Sequence, residues 1–233
     1  MAVDRSNGSV RNRAGMGGPT LLLASRSPRR RTLLTQAGID PIVWPVDLDE
    51  TPLPGETPVE MVCRLAEAKA RAALARTEAG RVVLAADTAV IDRGAWLGKP
   101  ADEAEAVEML MDLSGRSHEV VTALSVIRRR DGRQRLRAVR TDVRMRAYSR
   151  AEAAAYAAGG SPLDKAGGYG IQDRSFHPVD LARMDGCFTN VMGLPLCALG
   201  EALHALGVDP GADLTAACLE YHPHDTPAAE AVR

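Results

Sequence analysis

The sequence predicts an α/β fold, and three observations carry that prediction. The ten-residue run from Val82 to Ile91 is apolar and β-branched and lies between Gly80 and Gly94, as a central strand covered on both faces would. A shorter apolar run, Thr20 to Ala24, leads through Ser27-Pro28 into helical spacing at Leu33, Leu34 and Ala37, a strand–turn–helix step. Between these runs, Thr57-Pro58-Val59-Glu60 is a capping box with Pro at the first helical position. At 233 residues the chain can bury a full core as one large α/β domain or as two lobes.

Composition narrows the function classes. The net charge is −1, so no global field favours nucleic acid or a membrane surface. No segment approaches the roughly 20 apolar residues that span a bilayer. Residues 1–19 hold Arg5, Arg11 and Arg13 among Gly, Ser and Asn, with no apolar core for a signal peptide, and read as a disordered leader. Cys63, Cys187, Cys197 and Cys218 form no Cys-x-x-Cys pair and no cluster with histidine. They read as reduced, mostly core thiols of a cytoplasmic protein.

In chain order, the first helix has Ser27 as a good N-cap and Pro28 where no N–H is missed. Arg29, Arg30 and Arg31 crowd its first turn, where cations oppose the helix dipole by roughly 0.3–1 kcal/mol each. A solvated basic turn is one reading; the repeated placement favours the other, an anion site built from backbone donors and guanidinium groups. Gly38 ends the helix, and Pro41 to Val46 reads as a second strand. Asp47, Asp49 and Glu50 follow in a polar loop, either solvated or within reach of a metal or a sugar hydroxyl. In the helix after Thr57, the residues Val62, Leu65, Ala66, Lys69 and Ala73 share one stripe. The Lys69 head therefore either snorkels out or emerges inside a cleft.

After the Val82–Ile91 strand, Ala95 to Pro100 makes a short hairpin return, and pairing would carry Lys99 back beside Asp87. Asp102 to Leu113 is an amphipathic helix stopped by Gly115. Strands at about His118 to Ile127 and Gln134 to Arg146 meet across an Asp131-Gly132 turn. The arginines of that turn decorate an exposed loop; with no aromatic residue among them they do not read as a nucleic-acid patch. A helix from Ala151 to Ala158 leads into residues 159–172, where five glycines in fourteen residues accompany Asp164, Lys165 and Gln172. So many flexible positions fit a loop that closes on a ligand. Residues 173–180 read as irregular, Leu181 to Phe188 as a strand, and Thr189 to about Leu206 as the last helix. The domain plan is a leader at 1–19, one domain at 20–208 and a weakly ordered tail at 209–233, with His222 and His224 solvent-exposed.

Two features mark candidate chemistry. Asp87 places a carboxylate inside an apolar strand, which is costly unless it is paired, hydrogen-bonded or holding a metal; it is a site residue or the cap of a turn at the strand's end. The second feature is lysine usage, since only Lys69, Lys99 and Lys165 are lysines among 29 basic residues. An ammonium differs from a guanidinium in size, hydration and reach, so these three are candidates for places where arginine would not serve.

Six segments in order carry a resemblance. They are Ala24-Ser25-Arg26-Ser27-Pro28-Arg29-Arg30, Ala85-Ala86-Asp87-Thr88, Gly98-Lys99-Pro100, Leu113-Ser114-Gly115, Asp164 through Gln172, and Asn190-Val191-Met192-Gly193-Leu194-Pro195. Over residues 20–206 the chain resembles the Maf (septum-formation) family of nucleoside triphosphate pyrophosphatases. The resemblance implies an α/β fold of Maf/ITPase-like type, a twisted mixed sheet with flanking helices and two lobes around a nucleotide cleft. It also implies cleavage between the α- and β-phosphates, dependent on a divalent cation (Mg²⁺ or Mn²⁺), giving a nucleoside monophosphate and pyrophosphate.

By that resemblance Asp87 is the proton acceptor or a metal ligand, and both roles stand. Glu50 supports the metal or water, and Lys69 and Lys99 join Asp87 and Glu50 as catalytic groups. Ser25, Arg29, Arg30, Thr88, Lys165 and Gln172 bind substrate. Attack of water on a phosphoanhydride needs such neutralisation and such a carboxylate. The identities of Arg29, Thr88 and Gln172 look like the branch acting on dTTP and UTP. Asp173-Arg174 and Gly186-Cys187-Phe188-Thr189 depart from the family pattern near the expected base pocket. The alternatives are a less selective nucleotide pyrophosphatase and a non-catalytic, nucleotide-binding septation regulator. Members of that family are often dimeric, so a homodimer is the expectation; the charge balance points to no nucleic-acid or membrane partner.

Overall fold

The computed structural model describes residues 20–76, 82–173 and 175–221. The expected leader, Arg174, His222 and His224 lie outside them. The strands are β1 (Leu21–Leu23), β2 (Ile42–Val43), β3 (Val82–Asp92), β4 (Ala95–Leu97), β5 (Ser117–Arg128) and β6 (Arg133–Arg144). They form one mixed sheet in the order β2-β1-β3-β5-β6, with β4 also on β3. β1 lies parallel to β2 and β3, whereas β3, β5 and β6 run antiparallel.

How the two edges of β3 are used decides where the cleft opens. β5 pairs one edge from Val82 to Ile91. The other edge takes β1 at Val82–Leu84 and β4 at Val90–Asp92. Between them, 85–89 has no ladder partner on that side among the described residues. The chain leaving β1 and the chain leaving β4 both turn away at this gap, the kind of break in strand order where α/β sheets bind ligands.

The helices are α1 (Pro28–Gln36), α2 (Pro58–Leu74), α3 (Glu103–Leu113), α4 (Arg150–Ala157), α5 (Phe188–Val191), α6 (Leu196–Ala205) and α7 (Leu214–Glu220). The Thr57–Glu60 capping box forms as expected. α2 covers one face of the sheet, with Ala70 and Ala73 on Val83 and Ala85, and Val62 and Ala66 on Ala89 and Val121. On the other face Leu84 and Ala86 meet Leu33 and Leu34 of α1 and Leu199 and Leu203 of α6. Fully burying a leucine such as Leu33 or Leu84 contributes about 1.5–3 kcal/mol. A separate cluster packs Val90 and Val120 under Leu110 and Leu113 of α3 and Ala153 of α4. Members of both clusters line the cleft, Met192 from the first and Val90 and Tyr169 from the second.

Five expectations are corrected. The Ser27 side chain makes no cap bond; its N–H instead donates to Ser25 Oγ at 3.2 Å. The second strand shortens to Ile42–Val43. Leu181 to Phe188 is not a strand but a 3-10 turn at Leu181–Arg183, a single bridge from Asp142 to Asp185, and then α5. The ladder stops there because the Thr141 hydroxyl takes over both backbone groups of Cys187. The helix expected from Thr189 to Leu206 is split, since Gly193 turns out at φ +100 before α6 begins. Within the tail expected to be weakly ordered, Leu214–Glu220 instead forms α7. Asp213 caps it, and Leu214 and Cys218, four residues apart, bury one face. None of the four cysteines is in a disulfide; Cys187 and Cys218 are buried, Cys63 and Cys197 half-buried.

Candidate active site

Asp87 and Thr88 are half-buried in a stretch of β3 whose neighbours are buried. Asp87 lies opposite Ala123 in mid-ladder, so the strand-end cap is ruled out. A cleft of about 740 Å³ opens here. Strand alternation sends Asp87 toward α2 and Thr88 toward the other face.

On the α2 side, Lys69 Nζ donates to Asp87 Oδ1 at 2.6 Å and lies 2.6 Å from Glu50 Oε1. Lys69 is buried on the stripe the sequence placed it on, and its head emerges into the cleft rather than snorkelling to bulk water. The ion pair offsets the cost of setting a carboxylate in an apolar strand. Glu50 comes from the polar loop before α2, and its side chain is exposed.

On the opposite face, Arg30 is a tie. Its Nε donates to the Gly193 carbonyl at 2.7 Å, Nη1 to Ser25 Oγ at 3.1 Å and Nη2 to Thr88 Oγ1 at 3.0 Å. Burial lowers its guanidinium pKa; the Asp87 charge opposes that shift and Arg29 adds to it. Thr88 also shares a hydrogen bond with Thr122, whose hydroxyl donates to the Asn190 carbonyl. One side chain thus fixes the β1 exit, the middle of β3 and the Gly193 turn relative to one another.

The glycine-rich loop closes the far side. The Gly167 N–H donates to the Gly98 carbonyl at 3.0 Å, pinning the loop to the β4 return. Lys165 is buried, and its Nζ donates to Ser161 O, Ser161 Oγ and Asp164 Oδ1 at 2.6, 2.9 and 2.7 Å. Asp164 also accepts from Arg29 Nη1 at 2.9 Å. Burial pushes the Asp164 carboxyl up, but Lys165 and then Arg29 outweigh it and hold it below its ordinary value. Tyr169 lines the cleft and anchors the loop through a 2.7 Å hydrogen bond to His118 Nε2 on β5. The β3–β4 hairpin forms but its pairing stops at Leu97, opposite Val90, so Lys99 follows it unpaired while sharing the cleft with Asp87. This lysine lines the cleft, is exposed, and has no ion pair among the described residues.

All ten expected site residues line the same cleft. They do not stand in equal states. Arg30 and Lys165 spend their donors on the protein, Lys69 on two carboxylates, and Lys99 on none. Sequence reasoning gave no role to Asp164, Tyr169 and Trp96, which also line the cleft, or to Asp173 behind it. Asp164 and Tyr169 stood inside a motif segment and Asp173 directly after it; Trp96 carried no local signal. Among the described residues no three His, Cys, Asp or Glu side chains gather as a metal cluster. Asp87 and Glu50 do converge on one ammonium, and hard oxygen donors suit Mg²⁺ or Mn²⁺. Mg²⁺ commonly takes only one or two protein carboxylates beside substrate phosphates, so this donor pair fits such an ion. No helix among the described residues is long and apolar enough to cross a membrane.

A family model described as Maf-like protein matches residues 20–206. A dTTP/UTP pyrophosphatase of Geobacter sulfurreducens is 48% identical over 188 residues, covering 80% of this chain and 96% of the relative. One from Dehalococcoides mccartyi is 39% identical over 192 residues, covering 82% of this chain and 84% of its own. Among solved structures, a nucleoside-triphosphatase / dITP/XTP pyrophosphatase from Mycobacterium abscessus aligns with 54% of this chain and 74% of its own, at 19% identity and a TM-score of 0.37.

Proposed function

The chain belongs to the Maf family, and on that premise we propose that it hydrolyses dTTP and UTP to the nucleoside monophosphate and pyrophosphate. The observation that carries this reading is Asp87, a mid-strand carboxylate in a cleft that Arg29, Lys69, Lys99 and Lys165 also line. The names of its relatives support the choice of substrate.

Asp87 takes a proton from the attacking water as oxygen bonds to the α-phosphorus and the bond to the bridging oxygen breaks. Pyrophosphate leaves with the electron pair. Lys69 holds Oδ1, so Oδ2, which has no donor among the described residues, is the atom that meets the water. Lys99 offers the leaving phosphates a free ammonium, a compact charge with three rotatable donors. Ser25 and Thr88, ordered by Arg30, set the cleft wall against which the nucleotide lies. Arg29 and Lys165 flank Asp164 at the loop, and Gln172 reads the base. A divalent cation, Mg²⁺ or Mn²⁺, would be held by Asp87 and Glu50 and would neutralise phosphate charge. A homodimer in the cytoplasm completes the proposal on the family resemblance.

The test is pyrophosphate release from dTTP, UTP, CTP, GTP and 7-methyl-GTP with Mg²⁺ or Mn²⁺. The reading expects kcat/KM highest for dTTP and UTP. Equal rates across the panel would instead make the protein an unselective pyrophosphatase. Nucleotide binding with no release from any substrate would leave the non-catalytic role.

A further inference from the structure

Gln172 by itself does not separate uracil from cytosine. Uracil and thymine present a donor at N3 and an acceptor at C4; cytosine presents an acceptor and a donor at the same places. A side-chain amide matches either pattern by turning over, because it carries one acceptor and two donors. Selectivity needs something that forbids the turn.

The residue behind Gln172 does this. Gln172 Nε2 donates to Asp173 Oδ1 at 3.2 Å. Among the described residues, every other polar contact of that carboxylate is also with a donor. Ser161 Oγ donates to Oδ2 at 2.7 Å, the Tyr156 hydroxyl donates to the same oxygen, and Lys165 Nζ lies 3.6 Å away. The directions are set by a chain of donors. The Tyr156 oxygen accepts from the Gly170 N–H, and Ser161 Oγ accepts from Lys165, so both hydroxyls have their own protons to give to Asp173. The carboxylate side chain is 15% exposed, and a Cβ at Gly170 would come within 2.7 Å of its Oδ1, so the residue is packed in place. Asp173 does not line the cleft, whereas Gln172 does.

Resting on the reading that Gln172 meets the base, we infer that Asp173 is a positioning residue that locks the Gln172 amide in one orientation and so makes the pocket selective between 4-keto and 4-amino pyrimidines. Turning the amide over would set its oxygen against Asp173 Oδ1, losing one hydrogen bond and opposing two acceptors.

The experiment measures kcat/KM for UTP and CTP in the wild type, Asp173→Asn, Gln172→Ala and the double variant, with thermal unfolding as a check on each fold. Asparagine can turn a donor toward Gln172 and so admits both amide orientations. The UTP-to-CTP ratio is expected to fall by roughly tenfold in Asp173→Asn, the scale of one misplaced hydrogen bond, with CTP turnover gained. In the Gln172→Ala background the same substitution should leave the ratio unmoved. A high wild-type ratio that Asp173→Asn preserves, or a shift of the same size without Gln172, would overturn the lock while leaving the proposed activity standing. A wild-type ratio near one would remove the base reading itself, and the lock with it. If Asp173→Asn does not fold, Asp173→Ala vacates the same acceptor and carries the same expectation.

Discussion

Asp87 and Gln172 line one cleft, yet what holds each in place differs in kind. Asp87 sits on a strand paired along its length to β5, and its charge is met by Lys69 from a packed helix. Gln172 sits on a loop with little regular structure, and its orientation depends on side chains bonded to side chains through Asp173, Ser161 and Tyr156. The strand end needs few specific contacts because the sheet supplies the geometry. At the loop end there is no ladder to do so, and a buried polar network takes its place. Such a network specifies one arrangement only when every member is satisfied. On the proposed function, the chemistry common to all nucleotides stands on the sheet, and the choice among them stands on the network.

The largest expected effect breaks the strand end. Asp87→Asn should keep the fold and lower pyrophosphate release by roughly a hundredfold or more, the scale of losing a general base. Near-wild-type turnover would take Asp87 out of the mechanism and leave the sheet end without its central role.

The anchor between the two ends can be tested by acid. His118 on β5 bonds Tyr169 of the loop, and burial lowers its pKa to about 4, with Asp92 opposing and Arg116 adding to the shift. Below the ordinary value of 6.5 the unfolded chain binds a proton that the folded one does not. Stability from this group is therefore complete above that pH and is lost as pH falls toward the folded value. Between pH 7.5 and 5 the wild type should lose roughly 2 kcal/mol more than His118→Gln. Urea unfolding at both pH values reads this directly, and parallel losses in the two proteins would count against it.

The smallest effect sharpens the comparison within the cations. Lys99→Arg keeps the charge of the free cation but enlarges it and fixes its donors in a plane. We expect kcat/KM to fall by about tenfold, on the scale of one charge-assisted hydrogen bond, while Arg130→Lys in the exposed turn leaves it unchanged. Equal behaviour in a steady-state assay would mean that the lysines carry no special chemistry.

Much of this protein was legible in the sequence because its signals are local. The Val82–Ile91 run, the Thr57–Glu60 capping box and the stripe carrying Lys69 each follow from periodicity within one element, and each formed where expected. Eight of the ten site residues stand in the motif segments, Lys69 was marked by its helix stripe and Glu50 by its polar loop, and all ten reach one cleft. What the sequence could not determine is which donors remain free there. Lys69, Lys99 and Lys165 look alike in one dimension, yet one is spent on carboxylates, one is unpaired among the described residues and one is consumed by its own loop. Partner choice depends on distances between residues far apart in the chain, such as Arg30 with Gly193 and Tyr156 with Asp173. The same reason explains the failed strand at Leu181–Phe188 and the unexpected α7. One lost its ladder to the hydroxyl of Thr141, and the other gained a buried face against α6. Local propensity sets which elements form when nothing competes, and only tertiary contacts decide where a hydroxyl or an apolar surface elsewhere in the fold outbids it.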